Sequence, residues 1–135
     1  MPLLEWSDAY SVNIAAIDEQ HKGLVDLINQ LHSAMLRRQS GEVLGAILDE
    51  LGTYVERHLS YEEELLRRYD FPGLAEHEAK HRDLRERVSE FRKDHASGRM
   101  VPTTALIDFL RKWLSEHILG TDRLYADFLN SEGVF

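Results

Sequence analysis

Apolar side chains recur at alternating steps of four and three residues along four stretches of this chain, the period that lays a single stripe down an α-helix. The first stripe runs Ile17, His21, Leu24, Ile28, Leu31, Met35, and the second runs Leu44, Leu48, Leu51, Val55, His58, Glu62, Leu65, Tyr69. The third runs Leu74, His77, His81, Leu84, Val88, Phe91, and the fourth opens Leu106, Leu110, Trp113, His117. Turn-forming residues separate them: Gln39-Ser40-Gly41, Asp70-Phe71-Pro72-Gly73, and Ser97-Gly98 through Pro102-Thr103. Helices are therefore expected over about 18–38, 41–69, 72–96 and 103–130, with Asp18 as N-cap of the first. Short connections make neighbours antiparallel, so the expectation is an all-α, up-down-up-down four-helix bundle forming one domain over 1–135. Residues 1–17 carry Trp6, Tyr10, Val12, Ile14 and Ile17 and read as a non-helical arm packed onto the bundle.

Five histidines and one glutamate occupy stripe positions where the pattern calls for an apolar side chain: His21, His58, Glu62, His77, His81 and His117. Antiparallel helices bring to one height those residues that lie symmetrically about the turn joining them. His21 and His58 are centred on the Gln39-Ser40-Gly41 turn, Glu62 and His77 or His81 on the Asp70-Phe71-Pro72 break, and His81 with His117 on Gly98-Arg99. Asp122 pairs with His77 about that same last turn, so seven polar side chains fall into one buried layer. Residues four apart add about 5.4 Å of axial spread, which suits two neighbouring metal ions.

A single buried histidine is ordinarily a hydrogen-bonded core residue, and a single buried glutamate ordinarily has an arginine partner. Seven such groups with no Lys or Arg in the same stripes would each cost on the order of 1–3 kcal/mol as unpaired polar burials. Metal coordination removes that cost. Asp122 alone breaks the helical rule, because five residues past His117 is about 140° around an α-helix. A π-type turn, one residue wider, restores it, and Gly120 and Thr121 are weak α-formers between the two.

Composition narrows the chemistry. With 24 acidic against 16 basic residues the net charge is -8, which argues against a nucleic-acid surface. No cysteine is present, so thiolate ligands, disulfides and iron–sulfur sites are excluded and imidazole and carboxylate remain as strong ligands. The N-terminal residues lack a basic and apolar leader, and no apolar run approaches membrane-spanning length, so a cytoplasmic protein without membrane insertion is expected. His32, about three turns past His21, lies too far along the helix to join the layer, and His95 falls where a helix C-terminal dipole would hold it.

The pattern His21, His58-x-x-x-Glu62, His77-x-x-x-His81, His117-x-x-x-x-Asp122 resembles the di-iron signature of the hemerythrins over essentially the whole chain. The opening, Trp6 through Ile17-Asp18-x-x-His21-Lys22-x-Leu24, resembles the bacterial branch, the bacteriohemerythrins; Leu59, where many members carry an aromatic, departs from the pattern and bears on pocket shape. The resemblance implies two iron ions, one held by His77, His81 and His117 and the other by His21 and His58. Glu62, Asp122 and an oxo or hydroxo group would bridge them. It further implies one open coordination position on the two-histidine iron and reversible dioxygen binding for carriage, storage or delivery. A dioxygen pocket of Leu24, Ile28, Val55, Leu84, Trp113 and Leu114 is expected from the apolar positions next to the layer, with Leu114 matching the residue that lies over bound dioxygen in hemerythrins. Alternative functions for the same site are a di-iron oxidase, peroxidase or nitric-oxide-handling enzyme, and an oxygen or redox sensor acting through a partner. Carboxylate-rich di-iron oxidases use four acidic residues and paired Glu-x-x-His motifs, whereas the one such motif here places Glu78 beside its stripe. A monomer is expected, served by an unidentified reductant or oxygen-consuming enzyme.

Overall fold

A computed structural model describes residues 4–37, 41–98 and 103–135. Helices α1 (Ala15–Leu36), α2 (Gly41–Arg68) and α3 (Leu74–Ala96) are followed by α4 (Thr103–Glu116), a π-helical turn (His117–Asp122) and α5 (Arg123–Ser131), which together make the fourth rod of an antiparallel four-helix bundle. The turns expected at Gln39-Ser40 and Arg99 lie outside the described residues. The four stripes face inward: Ile17, Leu24, Ile28 and Leu31 from α1 meet Leu51, Val55, Leu59 and Leu66 from α2, Leu84 and Val88 from α3, and Leu106, Leu110 and Leu114 from α4 in one continuous core.

The α2–α3 reversal shows how local chemistry sets the register. Asp70 takes the left-handed conformation (φ 55°), which a short polar side chain tolerates. The chain then folds back so that Phe71 N–H donates to the Leu66 carbonyl at 2.9 Å, satisfying one of the end carbonyls of α2. Phe71 turns inward against Tyr125 and Phe128, with ring centroids 6.4 and 5.3 Å away.

The N-terminal segment corrects the expected helix start. α1 begins at Ala15, three residues before Asp18, with Ile14 at the N-cap position and no side-chain cap. Asp18 sits inside the first turn and its carboxylate reaches back to accept from Val12 N–H at 2.9 Å and from Ser11 Oγ at 2.6 Å. It therefore fastens the arm to the helix instead of capping it, while still placing negative charge at the positive helix end. Among its described residues the arm forms one 3-10 turn at Asp8–Tyr10 and takes the left-handed conformation at Asn13 (φ 58°). Val12 and Ile14 are buried beneath it, Leu4 exchanges two hydrogen bonds with the Asn29 side chain, and Lys22 lies over the Trp6 ring. Asn13 and Asn130 clasp each other: the Asn13 amide donates to Asn130 Oδ1 at 3.2 Å, and the Asn130 amide donates to the Asn13 carbonyl at 3.1 Å.

Candidate metal centre

All seven side chains singled out in the sequence meet in one cluster near the N-terminal end of α1, and none is more than 3% exposed. α2 presents His58 and Glu62, and α3 presents His77 and His81, each pair one ordinary helical turn apart. The fourth rod does it differently. From His117 to Asp122 the backbone widens into a π-helical turn, which carries Asp122 onto the inward face five residues after His117.

The carboxylates divide the cluster into two halves. Glu62 Oε1 lies 3.0 Å from His77 Nε2 and 3.8 Å from both His81 Nε2 and His117 Nε2, while Oε2 contacts His58 Nε2 and lies 3.7 Å from His21 Nε2. Asp122 repeats the division: Oδ1 is 2.8 Å from His117 Nε2 and 3.6 Å from His77 Nε2, and Oδ2 is 3.0 Å from His21 Nε2. His81 and His117 aim their Nε2 atoms at one point, 3.3 Å apart. Two donor groups able to hold a metal ion result, Glu62 with His77, His81 and His117, and Glu62 with His21, His58 and Asp122.

Hydrogen bonding leaves the cluster unsatisfied. His21 Nε2, His58 Nε2, Glu62 Oε2 and both Asp122 oxygens are buried without a hydrogen-bond partner, the condition a bound cation removes. The donor set, neutral nitrogens with two carboxylates, suits a borderline transition metal better than calcium or magnesium, which take oxygen ligands. Burial by itself lowers the His21 pKa, but Asp122 and Glu62 outweigh it and bring it to about 9; the same balance brings His117 to about 10. His81 goes the other way, pushed down to about 3 by burial and by the neighbouring His77 and His117 despite the attraction of Glu62. Burial opposes ionisation of Glu62 and Asp122 as well, yet the surrounding imidazoles hold both below the usual carboxylate range.

Around the cluster, Leu24, Ile28, Val55, Leu84 and Leu114 are almost fully buried. Trp113 differs from these five. It is half-buried, its ring stacks on His117 at 4.5 Å and 15°, and it lines an open groove with Phe109, Lys80 and Leu124. Glu78 turns outward to Arg67, and His95 reaches the Gly41 carbonyl at 2.7 Å, joining α3 to the start of α2. Two neighbours of the cluster, Gln20 and Glu63, were not singled out in the sequence, whereas Tyr125 lies on the continuation of the fourth stripe beyond Asp122. Gln20 Oε1 accepts from His58 Nδ1 at 2.6 Å, Glu63 Oε2 lies 3.5 Å from His81 Nδ1, and Tyr125 buries its ring against His77 at 5.2 Å. The symmetry about the turns that placed the seven also sets Gln20 level with His58 and Glu63 level with His81; each was hidden because it adjoins a more conspicuous residue.

Fold and cluster define a class, a four-helix bundle that encloses a histidine-rich, two-part cation site. Residues 12–129 match the hemerythrin HHE cation binding domain model, and the chain belongs to the hemerythrin family, whose members bind a di-iron centre and typically dioxygen. It is 35% identical over 127 residues to a bacteriohemerythrin of Stenotrophomonas maltophilia, covering 94% of this chain and 82% of that protein. A bacteriohemerythrin of Methylococcus capsulatus is 30% identical over 97% of this chain and 100% of its own length. A solved wild-type hemerythrin superposes with a TM-score of 0.87 at 29% identity, over 93% of this chain and 96% of that one, and a leucine-to-alanine hemerythrin mutant does so at 0.89. No helix among the described residues is long and apolar enough to cross a membrane.

Proposed function

We propose that the seven clustered side chains hold two iron ions and that the protein binds dioxygen reversibly, for its carriage, storage or delivery. The observation that carries this reading is the division of both carboxylates, one oxygen of each turned to the His77, His81 and His117 side and the other to the His21 and His58 side. A pair of irons held there would supply reversible electron transfer to dioxygen. The chain's own residues set the conditions. Glu62 and Asp122 span the two halves and supply only two negative charges, fewer than the four acidic residues of carboxylate-rich di-iron oxidases, so with five neutral imidazoles the site offers less anionic charge to stabilise higher-valent iron. His21 and His58 present one nitrogen fewer than the opposite half, and that shortfall marks the side where a small ligand enters. Leu24 and Val55 lie one helical turn from His21 and His58, and Leu84 and Leu114 one turn from His81 and His117, forming a buried apolar layer that excludes water.

Metal analysis and absorption spectra in air and under nitrogen test the proposal. Two irons per chain and a visible band that appears in air and disappears under vacuum, with the iron retained, support it. Immediate irreversible oxidation would show that the protein is no carrier, and turnover of a reductant to a defined product would place it among the oxidases.

A further inference from the structure

The two halves of the cluster are backed by different chemistry. His58 donates Nδ1–H to the neutral amide oxygen of Gln20 at 2.6 Å. His81 instead has a carboxylate behind it: Nδ1 is buried without a hydrogen-bond partner, and Glu63 Oε2, 3.5 Å away, is the charged group that faces it. Glu63 is in turn gripped by Arg85 through both carboxylate oxygens, at 2.7 and 3.2 Å. Arg85 continues outward to Glu56 at 2.7 Å and Ser60 at 3.5 Å, so a line of charged groups runs from buried His81 to a surface cleft of about 600 Å³ lined by Ser60, Glu63, Arg67 and Arg85. Arg85 lies one helical turn past His81, and Glu56, Ser60 and Glu63 share one face of α2, so the line follows from helical spacing.

An imidazole that gives Nε2 to a cation must keep its proton on Nδ1, and a carboxylate accepting that proton orients the ring and strengthens it as a donor. We propose that Glu63, held by Arg85, is a positioning residue that fixes His81 as an Nε2 ligand and biases the iron on the His77, His81 and His117 side toward the ferric state. Gln20 gives His58 orientation without that charge, so the two irons differ in electronic character through their outer partners as well as their histidine count. The inference rests on the reading of the seven side chains as a two-iron site.

The experiment compares wild-type protein, Glu63→Gln, Glu63→Ala and a control, Arg67→Ala, which changes the same cleft without touching Glu63. Iron content, the rate of iron loss to a chelator, the reduction potential of the loaded protein and the melting temperature of the metal-free protein are measured for each. Glu63→Ala is expected to lower iron affinity by roughly 10–100-fold. Glu63→Gln, which keeps size and an acceptor oxygen but removes the charge, is expected to raise the reduction potential while lowering affinity less; Arg67→Ala should match wild type. Gln20→Glu is the reciprocal change and is expected to lower the potential. A Glu63→Gln protein that folds, holds two irons and keeps the wild-type potential overturns the proposal, even if Glu63→Ala fails to fold. Wild-type protein that takes up fewer than two irons overturns the two-iron reading itself, and this inference with it.

Discussion

Two parts of the bundle bring side chains to the same cluster by different means. α2 and α3 place His58 with Glu62 and His77 with His81 by unbroken α-helical spacing, whereas the fourth rod needs a π-helical turn to bring Asp122 to the side of His117. The regular helices use the stripe that would otherwise carry leucine and valine, so there a ligand costs nothing in backbone geometry. The fourth rod spends one extra residue, and it does so where Gly120 and Thr121 offer little resistance to leaving the α-helix. Regular spacing supplies the pairs within each rod, and the irregularity supplies the second carboxylate that spans both halves.

Removing each carboxylate tests that division most severely. Glu62 and Asp122 each turn one oxygen to either half, but Glu62 faces all five imidazoles and Asp122 faces His21, His77 and His117. Both Glu62→Ala and Asp122→Ala are therefore expected to weaken iron binding in both halves, Glu62→Ala to near none and Asp122→Ala to well below about two per chain, as read by metal analysis of the folded protein. An Asp122→Ala protein that keeps about two irons per chain would mean that the carboxylate brought in by the π turn does not span the halves. Next in size are the apolar neighbours: Leu84→Ala on α3 and Leu114→Ala beside the π turn should each cost roughly 2–5 kcal/mol in denaturant unfolding. The smaller loss is expected at Leu114, because a widened turn can close around a cavity more easily than an unbroken helix.

Acid and base act on the two halves through their protons. In metal-free protein His21 and His117 stay protonated up to about 9 and about 10, so iron uptake at about pH 8 should release protons from both, less so as the pH rises past those values. Their raised pKa values contribute stability that is fully present below 6.5 and is lost as the pH climbs through about 9 and about 10. His81 has the opposite sign: its lowered value contributes stability present above 6.5 and lost as the pH falls toward about 3, and the depressed carboxylates Glu62 and Asp122 add to the acid loss. Metal-free melting temperature should therefore peak near pH 6.5 and fall on both sides, a maximum that thermal scans across pH will show or refute. The smallest effect is expected at Gly120, which is exposed and where an added Cβ meets nothing. Gly120→Ala should raise stability by up to about 1 kcal/mol with iron content unchanged; loss of iron would mean that the π turn depends on glycine.

Most of this architecture is legible because stripe and turn act on the whole chain. A histidine in a leucine position announces its own burial, and the turn positions fix its height, so stripe and turn together group the seven side chains. What stayed hidden depends on local competition. Asp18 has the residue type and place of an N-cap, but Ser11 and Val12 compete for its carboxylate and the helix starts earlier. Gln20 and Glu63 are polar residues beside polar ligands, and periodicity does not say which way a ring's second nitrogen points. Trp113 occupies an inward stripe position, yet its large ring spreads from His117 to the solvent groove, which a stripe of points cannot express.

The Asn13–Asn130 clasp has a mechanical consequence. All seven cluster residues lie between these two asparagines in the chain, so a pull applied to the outer ends loads the clasp before any tension reaches the cluster. Stretching of a tethered molecule should first meet a short-range yield at two amide hydrogen bonds, with the buried donors relaxed behind it until that seam has opened.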